Sequence, residues 1–152
     1  MWLLTGKTLY FFTVLLSGSG SLTLVAALFF ALAIPAGARS SDYITRGNAT
    51  VSAVGNGKLS ITIKTYATGR MQEIGASRVI VYEKQSNGTE RAVYTVTKEQ
   101  MNSLVTQNRQ TYTAILSYQG VSGKSYYVTA YCYAKNANGE DTLKASSDTV
   151  RA

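Results

Sequence analysis

LSITIKTYATGRMQEIGASRVIVYEK, Leu59–Lys84, carries two segments that read as β-strands. In LSITIKTYA, Leu59, Ile61 and Ile63 fall on one side of an extended chain and Ser60, Thr62 and Lys64 on the other. That period of two is expected when one face is buried and the other is wet. SRVIVYEK concentrates Val79, Ile80, Val81 and Tyr82, the β-branched and aromatic types that suit a pleated surface. GNGK, Gly55–Lys58, precedes the first segment, and QSNGTE, Gln85–Glu90, follows the second. Asn-Gly accepts positive φ, so each predicts a tight turn between antiparallel neighbours.

Further strand-like segments flank this pair. One runs from about Tyr43 to Ala53; RAVYTVT, QTYTAILSYQ and KSYYVTAYCYAK supply three more, and EDTLKASSDTVRA follows the turn at NANG. KEQMNSLVTQN is the only helix-like stretch, with Thr97 as N-cap and Met101, Leu104 and Val105 on one face. It reads as a single turn or short helix crossing between sheets. Seven short strands with regularly spaced turn signals predict an all-β fold, a seven-stranded antiparallel β-sandwich.

The chain of 152 residues is the size of one domain with an appendage, and the appendage is at the front. Thr8–Leu16 and Leu22–Ile34 are almost wholly apolar, interrupted by SGSGS at Ser17–Ser21, and a small-x-small site follows at Ala36, Gly37 and Ala38. Residues 1–38 are therefore expected to form an N-terminal hydrophobic helix. It is either a signal peptide cleaved after Ala38 or a retained anchor over about Thr8 to Pro35, roughly long enough to cross a bilayer. In both cases residues 39–152 form the β-domain and lie outside the cytoplasm, secreted or membrane-anchored, with membrane contact only through the N-terminal segment if it is uncleaved.

Fifteen Lys/Arg less Lys7 leave fourteen past Ala38 against eight Asp/Glu, a surplus of six. The cations are spread singly along the sequence, which suits solubility and weak attraction to anionic polymers but not nucleic acid, whose usual footprint is a patch or stripe. Cys132 is the sole cysteine, so no intramolecular disulfide is available.

KSYYVTAYCYAKNANG carries Val128, Ala130, Cys132, Ala134, Asn136 and Gly139 at the intervals of the sixth strand of fibronectin type III domains. Ile74, Ser77, Val79 and Val81 follow the spacing of that family's third strand. On these motifs the chain resembles the fibronectin type III-like, immunoglobulin-like β-sandwiches. EIGASRVIVYEKQSNG together with YQGVSGKSYYVTAYCYAKNANGED is also similar to a family of small uncharacterised exported proteins of Gram-positive gut bacteria, a resemblance that implies export and no particular activity. The fibronectin-like register implies that Val128, Ala130, Cys132 and Ala134 face the core. Alternation then sends Tyr127, Thr129, Tyr131 and Tyr133 outward, beside Ile80 and Tyr82 of a neighbouring third strand.

Tyr82, Tyr127, Tyr131 and Tyr133 are thus the candidate ligand-binding residues, flat rings able to stack on sugars. The competing reading is that cross-strand aromatic pairs merely stabilise the sheet, by roughly 0.2 to 1 kcal/mol each. Catalysis is not expected. The chain has no histidine, which removes Ser-His-Asp triads and Cys-His pairs, and the scattered acids show no pair set across a cleft. Cys132 reads as a small buried hydrophobe. Glu140 and Asp141, beside Asn136 and Asn138, read as exposed turn residues rather than a weak calcium site. No metal or cofactor is expected. The functional expectation is a non-catalytic exported module that binds a glycan, cell-wall polymer or extracellular protein through its aromatic face. The alternative is a structural or self-associating protein with no small ligand.

Overall fold

The computed structural model describes residues 42–152. Its strands are β1 (Ile44–Gly55), β2 (Lys58–Lys84), β3 (Glu90–Thr97), β4 (Val105–Gln119), β5 (Ser125–Asn136), β6 (Gly139–Ser146) and β7 (Val150–Arg151). All belong to one antiparallel sheet. This corrects the expected two-sheet sandwich of fibronectin type III or immunoglobulin type. The reason lies in the stretch that seemed to hold two strands: LSITIKTYA and SRVIVYEK are the two ends of one strand of 27 residues. Between them TGRMQEIG does not turn out of the sheet, because its backbone is paired. Met71, Glu73, Ile74 and Gly75 ladder onto β4, and Glu73, Ile74 and Gly75 also ladder onto β5.

The first part of β2 lies between β1 and β4, and its last part lies between β3 and β5. Thr65 and Gly75 are ten residues apart, which in a straight strand is about 33 Å. Yet the Thr65 hydroxyl donates to the Gly75 carbonyl at 2.7 Å. β2 therefore bends back on itself, and the sheet curls into a half-barrel around its own inner face. Two features allow the bend. The register with β4 jumps from Tyr66↔Thr111 to Met71↔Arg109, which leaves residues 67–70 opposite Gln110 alone. Gly75 then takes φ +154, and a Cβ there would collide with the Leu104 carbonyl oxygen, so the position requires glycine.

Inside the curl Leu59, Ile61, Ile63, Val79 and Val81 of β2 meet Leu116 of β4 and Val128, Ala130, Cys132 and Ala134 of β5, all buried. The alternation expected of both strands is the one observed. On one flank β1 closes against β5 and β6: a Cβ on Gly47 would lie 2.7 Å from Cys132 Sγ and 3.4 Å from Leu143 Cδ2. Cys132 is thus a buried packing residue, and its burial pushes the thiol pKa up. On the other flank β3 and β4 pair only with β2 and face each other across a seam. Tyrosines fill it. Tyr94 and Tyr118 pack with ring centroids 5.5 Å apart, and Tyr118 meets the fully buried Tyr126 edge-on at 5.9 Å. The Tyr126 hydroxyl accepts from the Val121 N–H at 2.9 Å, which ties the β4–β5 turn to the seam.

The Asn-Gly turn between β1 and β2 forms as expected, with positive φ at both central residues, Asn56 at 52° and Gly57 at 78°. The helix-like stretch shrinks to a 3-10 turn, Asn102–Leu104. Its Leu104 is buried, and Val105 already begins β4. The segment read as one last strand is split into β6 and β7. The expected N-terminal helix, whether signal peptide or anchor, lies outside the described residues. Among those described, no helix is long and apolar enough to cross a membrane.

Candidate functional site

The residues of β5 that point away from the core meet those of β2 directly across the ladder: Tyr127 opposite Tyr82, Thr129 opposite Ile80, and Tyr131 opposite Arg78. On the other side β6 sets Lys144 beside Tyr131 and Thr142 beside Tyr133. All four candidate tyrosines therefore lie on one outer surface of the sheet, on adjacent strands. Only one pair stacks: Tyr82 and Tyr127, centroids 5.0 Å apart and 9° from parallel. The others face cations. The Arg78 guanidinium lies 4.1 Å from the Tyr131 ring centre, the Lys98 ammonium 4.0 Å from that of Tyr133, and the Lys84 ammonium 5.7 Å from that of Tyr127. Tyr133, with 4% of its surface exposed, is buried, whereas Tyr82, Tyr127 and Tyr131 are half-buried.

The phenol hydroxyls are engaged as well. Tyr127 donates to Glu90 Oε2 at 2.5 Å. Loss of water around the phenol, reinforced by this bond to a carboxylate, pushes its pKa up to about 12. Tyr133 donates to Glu140 Oε2 at 3.0 Å. Burial raises its pKa, and Glu140 adds to the rise, while Lys98 opposes it without reversing it. Lys98 also pairs with Glu73 at 3.1 Å. Burial disfavours its ammonium, but the Tyr133 hydroxyl and Glu73 together outweigh that and raise its pKa. The surface is a network of ring, cation and carboxylate drawn from β2, β3, β5, β6 and the turn after β3. A cation over a ring adds about 0.5–1 kcal/mol at sites exposed to water.

Two cavities lie away from this surface. One, about 400 Å³, opens at the seam and is lined by Glu83, Arg91, Tyr118 and Tyr126 among others. Glu83 is buried on the core side of β2 and bridges Lys124 at 3.0 Å and Arg91 at 3.4 Å. The Lys124 ammonium, with Arg91 in support, holds its carboxyl below the usual range against the opposing effect of burial. The other cavity, about 580 Å³, is an open groove beside the bend of β2 that includes Arg70 and Arg109. Read along the sequence the cations seem dispersed; the fold brings these two to one groove. No local spacing announces it, because their meeting depends on the register slip between β2 and β4. Glu140 and Asp141, expected as exposed turn residues, instead open β6 and pair with Lys135 and Ala134; Asp141 accepts from the Tyr43 N–H at 2.8 Å and Glu140 from Tyr133, so both carboxylates bond within the domain. Among the described residues no group of three or more His, Cys, Asp or Glu is placed to hold a metal ion.

No family model matches the chain, and no curated protein matches it. Among solved structures the chain is similar to the solution structure of a protein described as late embryogenesis abundant, at 11% identity and TM-score 0.44, over 71% of this chain and 72% of that one. It is also similar to an X-ray structure of a structural-genomics target, at 13% identity and TM-score 0.38, over 70% and 83%. Both TM-scores are too low to carry a fold or a function across. The single curled sheet overturns the resemblance to fibronectin type III domains, and with no family model matching, the resemblance to a bacterial exported family is not upheld.

Proposed function

We propose that the domain is a non-catalytic structural module, exported from the cytoplasm, whose tyrosine surface holds its own sheet together. The observation that carries this reading is the occupancy of that surface. Arg78, Lys84 and Lys98 lie over three of the four candidate rings, the fourth ring stacks on Tyr127, and two phenols are bonded to carboxylates of the same domain. A sugar seeking the covered ring faces would have to displace these partners. Export rests on the apolar stretches and the small-x-small site before Arg39.

The test is a paired measurement on Tyr127→Ala, Tyr131→Ala and Lys98→Ala. Each variant is expected to unfold more readily, with Lys98→Ala losing about 0.5–1 kcal/mol. None is expected to change retention on peptidoglycan or on a glycan array. Tyrosine-dependent retention with unchanged stability would restore the aromatic ligand platform and end the structural reading.

A further inference from the structure

The described cations divide by what they touch. Arg91, Lys98 and Lys124 are ion-paired, and Arg78, Lys84 and Lys98 lie over tyrosine rings. Arg70 and Arg109 take part in none of these ion pairs or ring contacts, and they line one groove. The bend in β2 assembles it: Arg70 belongs to the segment that slips out of register with β4, and Arg109 pairs with Met71 immediately after it. Asn108, next to Arg109, sits in the left-handed region at φ 56, an uncommon conformation for a residue with a side chain.

Parts of the groove are tied down. The Gln110 amide donates to the Ala67 carbonyl at 3.3 Å, and the Tyr112 hydroxyl donates to the Ser103 carbonyl at 2.9 Å. That leaves the two guanidinium groups, the Asn108 amide and the hydroxyls of Thr106 and Thr111 as its polar lining. No carboxylate stands among the described residues that line it. Two arginines lining one open groove, with no carboxylate among its described lining residues, make it rich in hydrogen-bond donors and positive charge. The planar fork of arginine matches an oxyanion through two parallel hydrogen bonds. The chain's net charge of +7 adds a field that draws anions toward it.

We propose that this groove binds a phosphate group, carried either as free orthophosphate or as one unit of a phosphate polymer. The site is independent of the tyrosine surface, and so is its test. The full chain, in a non-ionic detergent at fixed ionic strength, is titrated calorimetrically with inorganic phosphate and separately with short-chain polyphosphate. Saturable binding of at least one of the two is expected. Arg70→Gln and Arg109→Gln should each weaken it about tenfold, the scale of one lost hydrogen bond to a charged group. Arg109→Lys, which keeps the charge and loses the fork, should remain weakened. Lys58→Gln and Lys144→Gln remove the same charge from exposed positions at the start of β2 and on β6 and should change binding less than about twofold, since a distant exposed charge is screened. Tighter binding of polyphosphate points to a polymer as the source, and comparable binding points to a single phosphate group. Absence of saturation with both probes, or equal weakening by all four Gln variants, would overturn the proposal.

Discussion

Where β1 meets β5, contact is made by leaving a side chain out; where β3 faces β4, it is made by putting tyrosine rings in. Gly47 lets its backbone come so near Cys132 that a single added carbon would lie 2.7 Å from the sulfur. Across the seam Tyr94, Tyr118 and Tyr126 span the space between strands that do not pair, and a cavity is left at the mouth beside Glu83. One flank is therefore sensitive to atoms gained, and the other to atoms lost.

That contrast predicts opposite responses to mutation. The largest effect is expected at the seam, where Tyr126→Ala deletes a fully buried ring together with the acceptor for the Val121 N–H; the cost should be about 3–5 kcal/mol in urea unfolding. Tyr126→Phe keeps the ring and should cost only about 1 kcal/mol. Equal losses for the two variants would mean that the hydroxyl, not the ring volume, holds the seam. On the closed flank Gly47→Ala should cost about 1–3 kcal/mol by overpacking. Combining it with Cys132→Ala removes the sulfur that the new methyl would strike, so the pair should be more stable than the sum of the single changes predicts. Strict additivity would mean that the sulfur is not what limits the approach.

The smallest effect belongs to Glu83. Its carboxyl is held below the ordinary value of 4.5 in the folded state, chiefly by Lys124. The stability it contributes is therefore present above that value and is lost as pH falls through the lower folded one. Melting temperatures measured from neutral to strongly acidic pH should fall less steeply for Glu83→Gln than for the unaltered chain. Parallel curves would detach Glu83 from the seam's stability.

The strand content could be read from the sequence because its signals are local. Leu59, Ile61 and Ile63 alternate with polar neighbours, Asn56-Gly57 makes its turn, and the parity of Val128, Ala130, Cys132 and Ala134 places the core face of β5. The continuity of β2 could not be read in the same way. Whether TGRMQEIG turns or stays extended is decided by β4 and β5, which pair with it from positions remote in sequence. The tyrosine surface was only half visible for the same reason. Alternation places Tyr133 on the outer side of β5, yet Lys98, arriving from the turn after β3, lies over it and the residue is buried. Arg70 and Arg109 come to line one groove where the register slips, and a slip leaves no periodic trace.

The hydroxyl of Thr65 resting on the carbonyl of Gly75 shows that one backbone serves both walls of the half-barrel. Such a chain has no detachable half, since peeling β2 from either end strips partners on both of its edges at once. A nick between residues 67 and 70 would thus yield two pieces, neither with a finished interior, and only their reassociation would rebuild the domain.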